Sequence, residues 1–398
     1  LQGILKVKLS LSMNKSMLIN FVLWVSRLLF GVVFIFSGFV KAIDPLGSVY
    51  KFQDYFLAFN AEWLFPIALP LAILMSGLEF VIGVTVLLGL KIRWSAWGGL
   101  LFMAFFTPLT LYIAIYEPVS DCGCFGDALI ISNWATFYKN IFILAAAIFI
   151  FIHRNRIRPL WSEKKDWYLV GITALFIVLL SVYCLRNLPI IDFRPWKVGN
   201  NINELMIPSP EVADTYLIYE NKNTGERKEF APSDLPWDDP EFMGNWEFVD
   251  QRRVIIQEYQ EPAINNFVIQ DEYGDDYTES YIGHPGYQFL VIAYDVNRTN
   301  KKAFERRIND FAMNAEDEGV SLIVLTGSSF SNIDTFRHEV QAAYPFYQSD
   351  EIALKTIIRS NPGLVLLKDG VVLAKWHHRN IPEFHEVKEE YMSGEVRK

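Results

Sequence analysis

Long apolar runs alternate with short charged ones as far as Asn187, and none follows it. A membrane helix needs about 20 mostly apolar residues to cross the hydrocarbon. Runs of that kind predict five spans: about Leu18 to Val40, Phe65 to Leu90, Trp94 to Tyr116, Thr136 to Ile152 and Tyr168 to Leu188. Pro66 and Pro70 fall in the opening turns of the second, where a missing amide donor costs least. Downstream the apolar strings shorten. Thr215 to Tyr219 reads as a strand that turns at Asn223-Thr-Gly225 into a hairpin, and the stretch from Pro232 to Pro240 as an irregular surface excursion. From Trp246 the order is strand, strand, strand, helix, strand, helix, helix, hairpin. Phe289 to Tyr294 and Ser321 to Leu325 are buried strands. Lys301 to Glu318 is a helix with Phe304, Ile308, Phe311 and Ala315 on one face, and Ile333 to Ala342 is another. Leu364 to Leu367 turns at Lys368-Asp369-Gly370 into Val371 to Trp376. Such alternation predicts a soluble α/β domain with a central sheet.

Positive charge sets the orientation, because lysine- and arginine-rich short loops stay on the cytoplasmic side. Lys91 and Arg93 lie between spans two and three, and Arg154, Arg156, Arg158, Lys164 and Lys165 between four and five. In the loop after span one, Lys41 and Lys51 are offset by Asp44, Asp54 and Glu62, and the loop from Glu117 to Asn133 has neither lysine nor arginine. The N-terminus is therefore expected in the cytoplasm of a bacterial inner membrane, with the C-terminal half in the periplasm. The tail, residues 1–17, carries Lys6 and Lys8 ahead of Met13 and Met17, either a candidate start, and is given no function. The apolar run after it is too long for a signal-peptide core and is expected to remain as an anchor.

The net charge of −9 is concentrated late, in runs such as Asp271 to Glu279 and Glu386 to Glu390, which argues against a nucleic-acid partner. Only three cysteines occur, Cys122, Cys124 and Cys184, so a disulfide-stapled scaffold is excluded. Two charges fall within spans, Arg27 in the first and Glu79 in the second. Counted from the cytoplasmic ends they reach comparable depth, which makes them a candidate salt-bridge pair, with both expected to face the bundle interior. One reading makes it a structural pair fixing helix register. The other makes it part of a polar cavity for a quinone head group, the candidate cofactor, or for a proton path.

The segment Arg27-Leu-Leu-Phe-Gly-Val-Val-Phe-Ile-Phe-Ser-Gly-Phe-Val-Lys41-Ala-Ile-Asp44-Pro, with Gly77-Leu-Glu79-Phe-Val-Ile-Gly83 after it, resembles the DoxX family of small membrane proteins. Cys122-Gly123-Cys124-Phe125-Gly126 matches the Cys-Gly-Cys-Phe-Gly of its MauE branch, linked to methylamine utilisation. The resemblance covers about Phe21 to Ile152. It implies a four-helix membrane unit, 18–153, to which 154–188 adds a cytoplasmic loop and a fifth transmembrane helix.

Two cysteines separated by one glycine can close a very small, strained and easily reduced ring, with Gly123 supplying the tight bend. Cys122 and Cys124 are therefore a candidate redox pair, and a structural use stands beside that reading. Asp121 and Asp127 are expected to disfavour the thiolate. Cys184, near the outer end of the fifth span, is a candidate resolving partner, although apolar packing is the ordinary role of a cysteine there. Two cysteines leave a tetrahedral zinc short of ligands, and the nearest histidine, His153, lies on the opposite face, so no metal is assigned.

Beyond a linker and hairpin region, 189–245, the stretch from about Val254 to Phe384 resembles thioredoxin-like domains of the TlpA and peroxiredoxin type, here placed at 246–398. The family's Cys-x-x-Cys position is occupied by Asp295-Val-Asn-Arg-Thr299, so dithiol chemistry there is excluded. Pro362 matches the proline beside that family's active site, which implies a retained peptide-binding or docking groove. His377 and His378 read as exposed strand-end residues. The role expected is an accessory one in periplasmic redox homeostasis or protein maturation, by Cys-Gly-Cys disulfide exchange with a periplasmic or membrane protein client; a non-enzymatic scaffold anchored in the lipid bilayer for an envelope complex is the alternative, and a small-molecule transporter has least support.

Overall fold

A computed structural model describes residues 2–158 and 163–393, with side chains described for 15–158 and 165–393. The side chains of Lys6, Lys8 and Lys164 and the loop residues 159–162 lie outside that description. Among the described residues, five helices are long and apolar enough to cross a membrane: Lys15–Ile43, Glu62–Leu88, Ile92–Tyr116, Asn133–Arg156 and Lys165–Arg186. The first belongs to α1 (Gln2–Ile43), which also takes in most of the tail. A helix between the first two spans, α2 (Pro45–Ala58), starts at an Asp44 cap followed by proline. Then come a 3-10 turn at Glu62–Ile67 that contains Pro66, α3 (Ala68–Leu88), α4 (Ile92–Tyr116), α5 (Asn133–His153) and α6 (Glu163–Arg186). No more than 33% of any span's most apolar window is buried, so most of that surface faces outward, as lipid contact requires. Exposed Trp63, Tyr112, Tyr116, Trp134 and Tyr138 ring one end of the bundle, and Trp94, Trp97, Trp167 and Tyr168 the other.

Helices α1 and α3 approach so closely that a Cβ on Gly38 would stand 2.5 Å from the Phe80 backbone nitrogen. Small residues allow that approach, and van der Waals packing holds it in a solvent of lipid tails. Gly38→Val is expected to cost about 1–3 kcal/mol by overpacking, read as a lowered unfolding midpoint in detergent. Gly171→Ala, where a Cβ meets nothing within 4 Å, should leave the midpoint unchanged.

After α6 a connector leads through α7 (Ile202–Leu205) to a three-stranded antiparallel sheet. It is built from β1 (Val212–Asn221), β2 (Arg227–Phe230) and, after α8 (Pro240–Asn245), β3 (Trp246–Gln257), in the order β2-β1-β3. The hairpin at Asn223 to Gly225 is as expected. The boundary at residue 246 is not, because β3 pairs with β1 along nearly its whole length. Local alternation marks a strand without saying which sheet completes it.

A second sheet follows α9 (Thr278–Ile282) and contains β4 (Tyr287–Ile292), β5 (Ser321–Thr326), β6 (Phe346–Gln348), β7 (Gly363–Lys368) and β8 (Val371–His377). Its order is β6-β5-β4-β7-β8, with β4, β5 and β6 parallel and β7 and β8 antiparallel. Between β4 and β5 run α10 (Lys301–Ala303), a π turn at Phe304–Ile308 and α11 (Asn309–Asp317). Next come α12 (Phe330–Val340), α13 (Glu351–Ile357) before β7, and α14 (Phe384–Val387) after β8. Alternation along β4 splits the core. Phe289 and Val291 pack with Phe304, Phe311, Phe336 and Phe384, while Leu290 and Ile292 pack with Leu354, Ile357, Trp196 and Ile202.

Candidate thiol site at one end of the bundle

The close approach of α1 and α3 decides what faces what. Ser37, one residue before Gly38, donates to Glu79 Oε2 at 2.7 Å, and Lys41, one turn on, reaches both Glu79 oxygens at 2.7 and 2.8 Å. The ion pair is nearly shut off from solvent, with side-chain exposures of 16% for Lys41 and 6% for Glu79. Ser37 Oγ also lies 2.7 Å from the Cys124 carbonyl oxygen. The intramembrane pair therefore braces the cysteine loop through Ser37.

That loop is fixed from three further sides. The Asp121 carboxylate accepts from the Gly123 amide at 2.8 Å and pairs with Lys51 of α2 at 2.6 Å. Tyr55, one turn beyond Lys51, donates to the Cys122 carbonyl at 2.9 Å. Gly123 has φ +64°, and a Cβ there would stand 3.0 Å from Lys51 Cγ, so glycine answers both the bend and the closeness of α2. From α5, Thr136 Oγ1 sits 3.7 Å from Cys122 Sγ, and Lys139 lies over the Phe125 ring at 4.1 Å.

Both loop cysteines are free, and the Cys124 amide donates to Cys122 Sγ at 3.3 Å. The Cys124 thiol's hydrogen bond is the largest influence on Cys122. Burial opposes it, while the Thr136 hydroxyl, the Cys124 amide and the Lys139 charge assist, and the Cys122 thiol is pulled down to about 6. Cys124 moves upward, because giving its proton to that hydrogen bond, its burial and the Cys122 charge all favour its neutral form. Asp121 and Asp127 do not oppose the Cys122 thiolate as unpaired charges, contrary to expectation. Asp121 is neutralised by Lys51, and Asp127 by Arg359 at 2.9 Å. Since the thiolate is the reactive form, Cys122 alkylation should rise with pH through a midpoint near 6 and level off above it. A midpoint at the ordinary thiol value of about 8.5 would contradict this geometry.

The candidate Arg27–Glu79 pair does not form. Arg27 instead donates to the carbonyl oxygens of Val86 at 3.1 Å and Leu87 at 2.8 Å, at the end of α3 where carbonyls lack helical partners. Glu79 sits about 12 Å further along the helix, by its 1.5 Å rise per residue, and Lys41 takes it. The depth count failed because α1 runs on to Ile43 and carries Lys41 into the bundle. Cys184 is buried in α6, and the hydrogen bonds of the loop cysteines go to Thr136, Ser37, Tyr55 and each other rather than to it.

In the C-terminal sheet domain Pro362 is buried and follows a cis Asn361–Pro362 bond. Asn361 Nδ2 donates to the Asp295 carbonyl at 2.9 Å, which ties this turn to the loop after β4. His377 is only 4% exposed, and His378 is half-buried against Ser360 at 3.1 Å, so neither is the exposed strand-end residue expected. Burial, then His378 and Arg379, push His377 down to about 3, and burial, then Arg379 and Arg307, push His378 down to about 4. Both are neutral at neutral pH.

Sequence reasoning missed Ser37, Lys41, Lys51, Tyr55 and Thr136 as members of the site. A signal existed for some: Ser37 and Lys41 share a helix face at a spacing of four, as do Lys51 and Tyr55. No pattern marks Arg359, whose partners are Asp44 and Asp127.

Comparison with family models matches residues 213–258, which span most of the three-stranded sheet, to a domain of unknown function (DUF8463). No curated protein and no solved structure matches the chain. Residues 19–153, the first four spans together with the cysteine loop, match the family described as methylamine utilisation protein MauE.

Proposed function

We propose that this protein is an inner-membrane thiol-disulfide exchange module whose reacting pair is Cys122 and Cys124. The observation that carries the reading is the setting of Cys122. Its sulfur accepts from the Cys124 amide at 3.3 Å and lies 3.7 Å from the Thr136 hydroxyl, in a loop whose backbone is pinned by Ser37 and Tyr55. Hydrogen bonds of this kind favour a thiolate, and a structural cysteine needs none of them.

In the oxidising direction a client thiolate attacks Cys122 Sγ of the closed pair, the Cys122–Cys124 bond breaks, and Cys124 leaves as thiolate. A second client thiolate then attacks the client sulfur of the mixed disulfide and releases Cys122. The client loses two electrons and two protons, and the pair gains them. Lys41 favours the departing Cys124 thiolate electrostatically. The reverse direction passes through the same mixed disulfide on Cys122.

Orientation follows the same reading. Lys91, Arg93, Arg154, Arg156, Arg158 and Lys165 belong to the end of the bundle opposite the cysteine loop, which supports a cytoplasmic assignment for that end and a periplasmic one for the loop. A disulfide can persist there. The strand order β6-β5-β4-β7-β8 and the proline leading into β7 support a thioredoxin-like reading of the C-terminal domain, with no cysteine of its own. The test is capture of a client as a mixed disulfide on Cys122 when Cys124 is serine. Full function without either loop cysteine would overturn the reading and leave a scaffold.

A further inference from the structure

The C-terminal domain touches the membrane unit through the turn that leads into Pro362. Arg359, 5% exposed, places Nε 2.9 and 3.0 Å from the Asp44 carboxylate oxygens and Nη2 2.9 Å from both Asp44 Oδ2 and Asp127 Oδ2. A planar guanidinium can fork between two carboxylates in this way, where an ammonium cannot. Around it, Tyr294, two residues beyond β4, meets Tyr50 of α2, hydroxyl to hydroxyl at 3.4 Å. Lys355 lies over the Tyr50 ring at 4.8 Å, and Arg359 over the same ring at 5.2 Å.

The two carboxylates are not arbitrary anchors. Asp44 caps α2 by accepting from the Gly47 amide at 2.9 Å, and α2 carries the Lys51 and Tyr55 that grip the cysteine loop. Asp127 lies three residues after Cys124, at the far end of that loop. Arg359 thus ties down both the helix that braces the loop and the loop itself.

We propose that the surface formed by Tyr294, Lys355 and Arg359 is the docking site for α2 and the Cys122–Cys124 loop of its own chain, with Arg359 a positioning residue for the thiol pair. The turn before Pro362, in the position of a client groove, is occupied from within, and the soluble domain acts on the thiols rather than on the client. This rests on the exchange reading for its purpose but not for its geometry.

The test uses the full chain in lipid nanodiscs, with the pH dependence of Cys122 alkylation by iodoacetamide followed by the mass of the peptide that contains it. Arg359→Gln should move the midpoint upward by about one pH unit, since two carboxylates lose their cation and the loop its anchor. Arg359→Lys should recover part of that shift. A profile for Arg359→Gln that superimposes on wild type would overturn the proposal. Where that variant does not fold, Asp127→Asn releases only the loop. Amide exchange at Gly123 and Cys124 should then quicken about tenfold, while β4 and β7 keep wild-type protection; unchanged loop exchange would overturn the proposal equally. Because these readouts follow the thiol and the loop rather than turnover, their failure is separate from failure of the exchange reading, which client capture decides.

Discussion

Replacing Cys124 by serine is expected to turn a transient exchange into a stable covalent complex, with a client held on Cys122 and released by reductant. Cys122→Ser should yield no complex and reduce exchange to the uncatalysed background. The asymmetry follows from the loop. Cys122 is the sulfur held as thiolate, by the Cys124 thiol first and by Thr136 and Lys139 with it, while the Cys124 thiol is held protonated beside it. In the reducing direction the Cys122 thiolate attacks a client disulfide, and the mixed disulfide so formed needs Cys124 to resolve it, which serine cannot do. Non-reducing electrophoresis of the two variants checks the prediction. Equal capture by both, or capture only by Cys122→Ser, would reverse the assignment.

The second large effect concerns stability. Glu79→Ala leaves Lys41 charged and without its partner inside the bundle, and breaking a buried ion pair from one side costs about 3–5 kcal/mol. The variant should lose its folded membrane unit at a markedly lower temperature in detergent. Removing both charges together, as Lys41→Met with Glu79→Leu, should cost far less, because no charge is then left unpaired. If Glu79→Ala and the double variant unfold alike, the pair is not the electrostatic unit that its distances of 2.7 and 2.8 Å describe. The double variant should still lose part of the loop's order, since Ser37 then has the Cys124 carbonyl but no Glu79 oxygen to fix it.

Much of the membrane half was legible because a lipid solvent permits few solutions. Five runs of sufficient length had to be helices, and their limits fell within a few residues of those found. What lay between them was harder. Pro45 to Ala58 is a helix of modest apolar content between spans, recognisable afterwards from Asp44 and Pro45 at its start, yet it supplies two of the residues that grip the cysteine loop. The cysteine motif itself was plain in the sequence. Its electrostatics were not, because Asp121 and Asp127 look repulsive until Lys51 and Arg359 are placed beside them. Arg27 and Glu79 stand out in the sequence as charges in apolar runs, but each has its partner elsewhere, Glu79 at Lys41 because α1 runs on to Ile43 and Arg27 at the end of α3. In the C-terminal half, β4, β5 and the β7–β8 hairpin followed from periodicity, while the run of strands expected after Trp246 is the single strand β3, whose pairing with β1 depends on contacts that no local pattern encodes.

Whether Cys122 and Cys124 work as an exchanging pair is read by acid-quenched alkylation trapping in intact cells expressing the wild-type chain. An exchanging pair is found partly as an internal disulfide, and its oxidised fraction rises under thiol oxidants and falls under reductant within minutes. Cysteines that stay fully reduced under every condition, in cells that function normally with serine at both positions, would contradict the exchange reading.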